Sequence, residues 1–232
     1  WTVNNEMARV LNEEYKCKNK AIIINNATEM LPVKDVDKAN KEINKLYNLK
    51  SNEKLLLFVG RINRQKNLFF IVDALGILKN EKINFKIIFV GSGPDEHMLK
   101  NYIKESGVEK NVIMAGKIMD RELLAKIYSR ADLFVFPSLY DTNSLVQIEA
   151  ASQHTPTAFI KSVTASTTTN NVNSIVTNNN VVEYADAIID LLNDKKRIET
   201  LSNNAYRDLY KHWDDLVKEI YDRYINLIEN NK

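Results

Sequence analysis

The sequence predicts an α/β fold, a doubly wound parallel sheet with helices on both faces. Three observations predict it. Residues 55–59, 85–90, 112–114 and 133–136 are apolar runs of strand length, broken only by Lys86, without the alternation of a strand that has one wet face. Longer stretches with helical spacing separate them, at about 66–80, 95–106 and 120–130. The resulting β-α-β-α-β order is satisfied by parallel strands joined through crossover helices, and such a sheet takes its ligands in the loops at the carboxyl ends of its strands.

The elements follow in order. Residues 4–16 read as a helix and 21–24 as a short strand, and after a loop a charged helix is expected at about 35–48. Too few residues precede Leu55 for another full sheet, so residues 1–50 read as the tail of a preceding domain plus its linker and residues 51–232 as the domain proper. Asp120 is a good N-cap for the third crossover helix, which carries Leu123, Leu124, Ile127 and Tyr128 at helical spacing. Beyond it, 145–153 reads as a helix, 156–160 as a strand and 161–180 as a polar stretch rich in Thr and Asn. The tail is helical, with an apolar stripe through Trp213, Leu216, Val217, Ile220, Tyr221, Tyr224 and Ile228 that needs a cover.

Composition narrows the function. With 32 Lys and Arg against 30 Asp and Glu, the net charge is +2, so no global field recruits nucleic acid, and any anion must be gripped locally. The aromatics fall in core stripes rather than on a base-stacking platform. The single cysteine, Cys17, excludes an internal disulfide framework and a multi-cysteine zinc site, and fits a reducing cytoplasm. No apolar run approaches the roughly 20 residues of a membrane helix. The three histidines, at 97, 154 and 212, lack ligand spacing, and no Asp-x-Asp stands in a loop, so no metal site is expected.

Three loops could carry chemistry. After the first strand comes Gly60-Arg61-Ile62-Asn63-Arg64-Gln65-Lys66, a glycine turn followed by cations at the start of a helix. That arrangement suits a diphosphate, and equally a solvated basic loop. Gly91-Ser92-Gly93-Pro94 lacks the third glycine of a dinucleotide fingerprint and does not follow the first strand, so it reads as a turn bringing the backbone close to something. The densest cluster runs from Pro137 to Glu149. Asp141 and Glu149 could face one ligand from a loop and the following helix; alternatively, Asp141 and Thr142 cap that helix and Glu149 is a surface acid.

In this order, with Gly116 after the third strand, Ala131 to Ser138 around the fourth, and seven residues between Asp141 and Glu149-Ala150-Ala151, the motifs resemble the C-terminal domain of GT-B glycosyltransferases of group 1 (family 4). The resemblance covers roughly 54–228, and residues 1–30 resemble the end of that family's N-terminal, acceptor-binding domain. It implies the donor half of a retaining enzyme. A sugar would pass from a UDP- or GDP-sugar, UDP being favoured, to a saccharide or lipid hydroxyl, as in polysaccharide biosynthesis, without a metal or other cofactor. It implies Arg61 and Lys66 on the diphosphate, Asp141 on the donor sugar, Glu149 on the ribose, and the backbone of Ser144 and Leu145 on the phosphates. Lys117 and Ile118 would read the base, and Gly60, Gly91 and Asn143 would border the donor. The partner would be the absent acceptor domain, membrane association of a longer protein is left open, and this chain alone would transfer nothing. Asp141 stands where glutamate is usual, and Ser144, Gln153 and Ser174 where glycine is usual. These departures support the alternative of a non-catalytic nucleotide-sugar-binding or structural module. An unrelated dehydrogenase half is the remaining reading, opposed by the missing third glycine.

Overall fold

The computed structural model describes residues 1–16, 21–141 and 143–229; Cys17 and Thr142 lie outside them. Six strands form one sheet: β1 (Lys54–Val59), β2 (Phe85–Val90), β3 (Val112–Gly116), β4 (Leu133–Val135), β5 (Thr157–Ile160) and β6 (Ser174–Thr177). Their order is β3-β2-β1-β4-β5-β6, and every pairing is parallel. The helices are α1 (Asn5–Arg9), α2 (Val36–Leu46), α3 (Leu68–Asn80), α4 (Glu96–Glu105), α5 (Arg121–Arg130), α6 (Leu145–Ser152), α7 (Val181–Asn193), α8 (Lys195–Leu209) and α9 (Trp213–Glu229). They pack in two rows, α4-α3-α7 and α2-α5-α6-α8, with α7 touching α8 where the rows meet.

The apolar runs are strands for the expected reason. Leu55, Leu56, Leu57, Phe58, Ile87, Ile88 and Phe134 are buried on both faces of the sheet. Phe136 centres an aromatic cluster. Its ring lies 6.0 Å from Phe58, 5.3 Å from Phe134 and 6.4 Å from Phe159. Asp120 caps α5 as anticipated, accepting from the amides of Glu122 and Leu123 at 2.9 and 3.1 Å.

Four readings change. The expected strand at 21–24 is only an isolated bridge between Thr2 and Ile23. The helix expected over 4–16 loosens after Arg9 into a π turn, Val10–Glu14. Within the polar stretch 161–180 lie a 3-10 turn, Val163–Thr167, and the edge strand β6. The first crossover helix begins at Leu68, because Asn67 adopts a left-handed φ of 56° between a 3-10 turn and α3.

The terminal helix meets the beginning of the chain. Thr28 bridges to His212, its amide donates to the Lys211 carbonyl at 3.0 Å, and the Trp1 ring lies 4.9 Å from Tyr224. Among the described residues no helix is long and apolar enough to cross a membrane.

Candidate active site at the sheet reversal

From β1 the chain steps outward to β2 and β3, then returns through α5 to β4 on the other side of β1. The loops after β1 and β4 therefore separate at the point where the strand order reverses, the usual ligand position in such sheets.

The β1 and β2 loops meet backbone to backbone. A Cβ on Gly91, which has φ +135°, would lie 1.9 Å from the Gly60 carbonyl oxygen, and one on Gly93 would lie 2.2 Å from that of Ile62. The amide of Gly60 donates to Val90, that of Ile62 to Ser92 and that of Gly91 to Gly116, at 2.8 to 3.0 Å. What the Gly91 turn approaches is thus the neighbouring loop, and the Gly60 and Gly91 amides are engaged within the protein. Arg61 is exposed beside them.

Lys66 points across the reversal. Its Nζ donates to Asp141 Oδ1 and Oδ2 at 2.6 and 2.5 Å and sits 5.3 Å from the centroid of the Phe136 ring. The acid implied for the sugar and the cation implied for the diphosphate, 75 residues apart, form one ion pair with both side chains mostly covered. Asp141 therefore does not cap α6. Its own amide donates to Thr164 Oγ1 at 3.1 Å.

At α6 the N-cap is Ser144, with φ −79° and ψ 122°, a conformation open to any residue, and its side chain makes no capping bond. The amides of Leu145 and Val146 open the positive end of α6. Asn143 faces elsewhere: its Nδ2 donates to the Val3 carbonyl at 2.7 Å, and its own carbonyl accepts from Asn26 at 3.0 Å. The first 30 residues are thereby tied to this loop.

Glu149 is 6% exposed, not a surface acid. Its Oε1 accepts from Arg121 Nη2 at 2.6 Å and its Oε2 from the Tyr128 hydroxyl at 3.3 Å. Burial above all, then the Glu149 charge, pushes the Tyr128 hydroxyl well above its ordinary range. Partial burial pulls the Arg121 guanidinium down, but Glu149 outweighs it and leaves the cation firmly charged. Neither partner was identifiable from sequence: Arg121 reads as one more surface cation and Tyr128 as one more core aromatic. Lys117 is exposed and Ile118 packs partly on the core, both in the turn after β3. The structure thus joins Lys66 to Asp141, whereas Glu149 is held by a separate cluster on the α5 side of α6. A cavity of about 840 Å³ opens between residues 29–42 and α5; Arg121 and Glu29 line it, but Arg61, Lys66, Asp141 and Glu149 do not.

Comparison with known proteins gives the family. Residues 39–208 match the family model for glycosyl transferases, group 1. The chain belongs to that family. It is 31% identical over 181 residues to an uncharacterized glycosyltransferase of Methanocaldococcus jannaschii, covering 76% of this chain and 46% of that protein. It is 28% identical over 154 residues to the alpha-monoglucosyldiacylglycerol synthase of Streptococcus pneumoniae, covering 65% and 35%. The chain thus spans less than half the length of these curated relatives. Among solved structures, a glycosyltransferase of Rickettsia africae superposes with a TM-score of 0.83 at 18% identity, over 98% of this chain and 63% of that one. Anabaena Alr3699/HepE, solved in complex with UDP and glucose, superposes with a TM-score of 0.80 at 17% identity, over 96% and 62%. At such identities these two show the fold alone.

Proposed function

We propose that this chain is the donor half of a retaining glycosyltransferase that moves a sugar from a nucleoside-diphosphate sugar, UDP-sugar first and GDP-sugar next, to a saccharide or lipid hydroxyl. Residues 51–232 are the donor domain, and residues 1–50 the end of an acceptor domain with its linker. The observation that carries this reading is the Lys66–Asp141 pair at the sheet reversal, beside the N-terminus of α6. It gathers a cation for phosphate, an acid for sugar hydroxyls and a helix dipole at one place. The group 1 match supports sugar transfer as the reaction.

In this reading the incoming diphosphate takes Lys66 from Asp141, with Arg61 closing over it from the exposed side. Asp141, released, accepts from the sugar, and Glu149 accepts from the ribose. When the anomeric C–O bond breaks, its electron pair stays on the diphosphate, whose charge Lys66, Arg61 and the Leu145 amide stabilise. The acceptor oxygen bonds to the anomeric carbon on the face the diphosphate leaves, and its proton passes to a diphosphate oxygen. No protein nucleophile and no metal enters the scheme. The acceptor is held by the other domain, so the 232-residue chain alone is expected to bind donor without transferring sugar.

One observation favours a second reading. The closed Lys66–Asp141 pair, together with Asn143 bound to Val3, suits a module whose donor site has become structural. Calorimetric titration separates the two. UDP or GDP is expected to bind, with Lys66→Ala weakening it about tenfold or more and leaving the bare nucleoside unchanged, because only the diphosphate makes the charge-assisted contact. Equal losses for nucleotide and nucleoside, or no binding of either diphosphate to the parent chain, would leave the structural module standing.

A further inference from the structure

We infer that Arg121 is a positioning residue for the nucleotide's ribose: it holds and aims the buried Glu149 carboxylate, and it ties that carboxylate to the linker through Glu29. The inference rests on the donor-site reading above and adds a residue to it.

Covering a carboxylate as fully as Glu149 is costly unless it is paired and hydrogen-bonded. Arg121 supplies the charge at 2.6 Å, and among the described residues no other cation forms an ion pair with Glu149. The Tyr128 hydroxyl holds the second oxygen. Each oxygen then has one protein donor and keeps acceptor capacity for one more, the arrangement two vicinal ribose hydroxyls require. The guanidinium does this with one edge only. Its Nε meets Glu29 Oε1 at 3.3 Å, on the segment leading into α2, while Nη2 stays on Glu149. A lysine presents one point charge and cannot span two carboxylates in a fixed plane.

The local sequence gives α5 no reason to carry this residue. Arg121 is the first residue of the helix, where a cation opposes the helix dipole and where the Asp120 cap is already complete. Its side chain is 44% exposed against 8% for Glu149, so it closes the outer side of a buried acid rather than filling a core position.

The test compares ribose with 2′-deoxyribose. Dissociation constants are measured by calorimetry for UDP and 2′-deoxy-UDP, and for GDP and 2′-deoxy-GDP, on the parent chain and on Arg121→Ala, Arg121→Gln and Glu29→Gln. The parent is expected to prefer the ribonucleotide about tenfold, the size of one hydrogen bond to a charged group. In both Arg121 variants the preference should fall to near one, with the deoxynucleotide affinity little changed. Arg121→Gln keeps most of the side-chain volume, so it decides the matter should the alanine variant fail to fold. Glu29→Gln should retain the preference, since Glu149 keeps its cation. A ribose preference that survives in Arg121→Gln would overturn the inference while leaving the donor site intact, as would its loss in Glu29→Gln, which would assign the discrimination to the linker. A parent chain that binds ribose and deoxyribose forms alike would overturn this inference, and one that binds no nucleotide would overturn the donor-site reading with it.

Discussion

The two sides of the sheet reversal are built from different forces. On the β1–β2 side the wall is backbone against backbone, closed by glycines that admit no Cβ and resting on the Phe58–Phe136 stack. On the β4–α6 side it is charged side chain against charged side chain, Lys66 on Asp141 and Arg121 on Glu149. The first kind of contact is steric and cannot be exchanged for a ligand. The second can, because a phosphate or a hydroxyl offers the same hydrogen bonds as the group it displaces. A fixed floor beside an exchangeable rim is what a site needs if it is to bind a charged substrate without refolding.

The comparison breaks most readily at its floor. Phe136→Ala removes a fully buried ring that touches three others and underlies Lys66, and should destabilise the chain by about 4 kcal/mol in a denaturant titration. A loss near 1 kcal/mol would mean that the floor can collapse to fill the gap. Gly91→Ala comes next, at about 3 kcal/mol, since the methyl meets the Gly60 carbonyl and the φ is unfavourable as well. A variant as stable as the parent would show that the two loops can separate, and that this wall is as adaptable as the other.

A smaller effect sharpens the contrast at α9, where charged contacts tie the helix to the Lys211 that precedes it. Glu219 accepts from Lys211 and Arg223, and these bonds, Lys211 first, hold its carboxyl below the usual range. A depressed folded pKa gives stability that is complete above the unfolded carboxyl value and lost as pH falls through the folded one. The seating of α9 on Lys211, whose carbonyl accepts from the Thr28 amide, should therefore loosen as pH falls below about 4.5, ahead of the sheet. Fluorescence of Trp1 and Trp213 should shift there while the far-ultraviolet dichroism of the sheet holds. Simultaneous loss of both signals would show that α9 is part of the main cooperative unit.

The fold class was legible because burial on both faces leaves a continuous apolar run, a pattern written in adjacent residues. Residues 55–59, 85–90 and 133–136 needed no partner to be read. The edge strand β6 was missed because Ser174-Ile175-Val176-Thr177 is short, is polar at both ends and lies among Thr and Asn residues that read as a loop. Lys66, Asp141 and Glu149 could be singled out through an ordered set of motifs, yet not the contacts they make.

By itself the sequence determined five of the six strands, their parallel arrangement, the capping of α5 and the family, since each depends on local composition or on motif order. Only the tertiary structure decided that Gly91 clears the Gly60 carbonyl, that Lys66 rests on Asp141 and that Arg121 holds Glu149. Those pairs lie roughly 30, 75 and 28 residues apart, and no spacing rule along the chain encodes a contact made by bringing separate strand ends together.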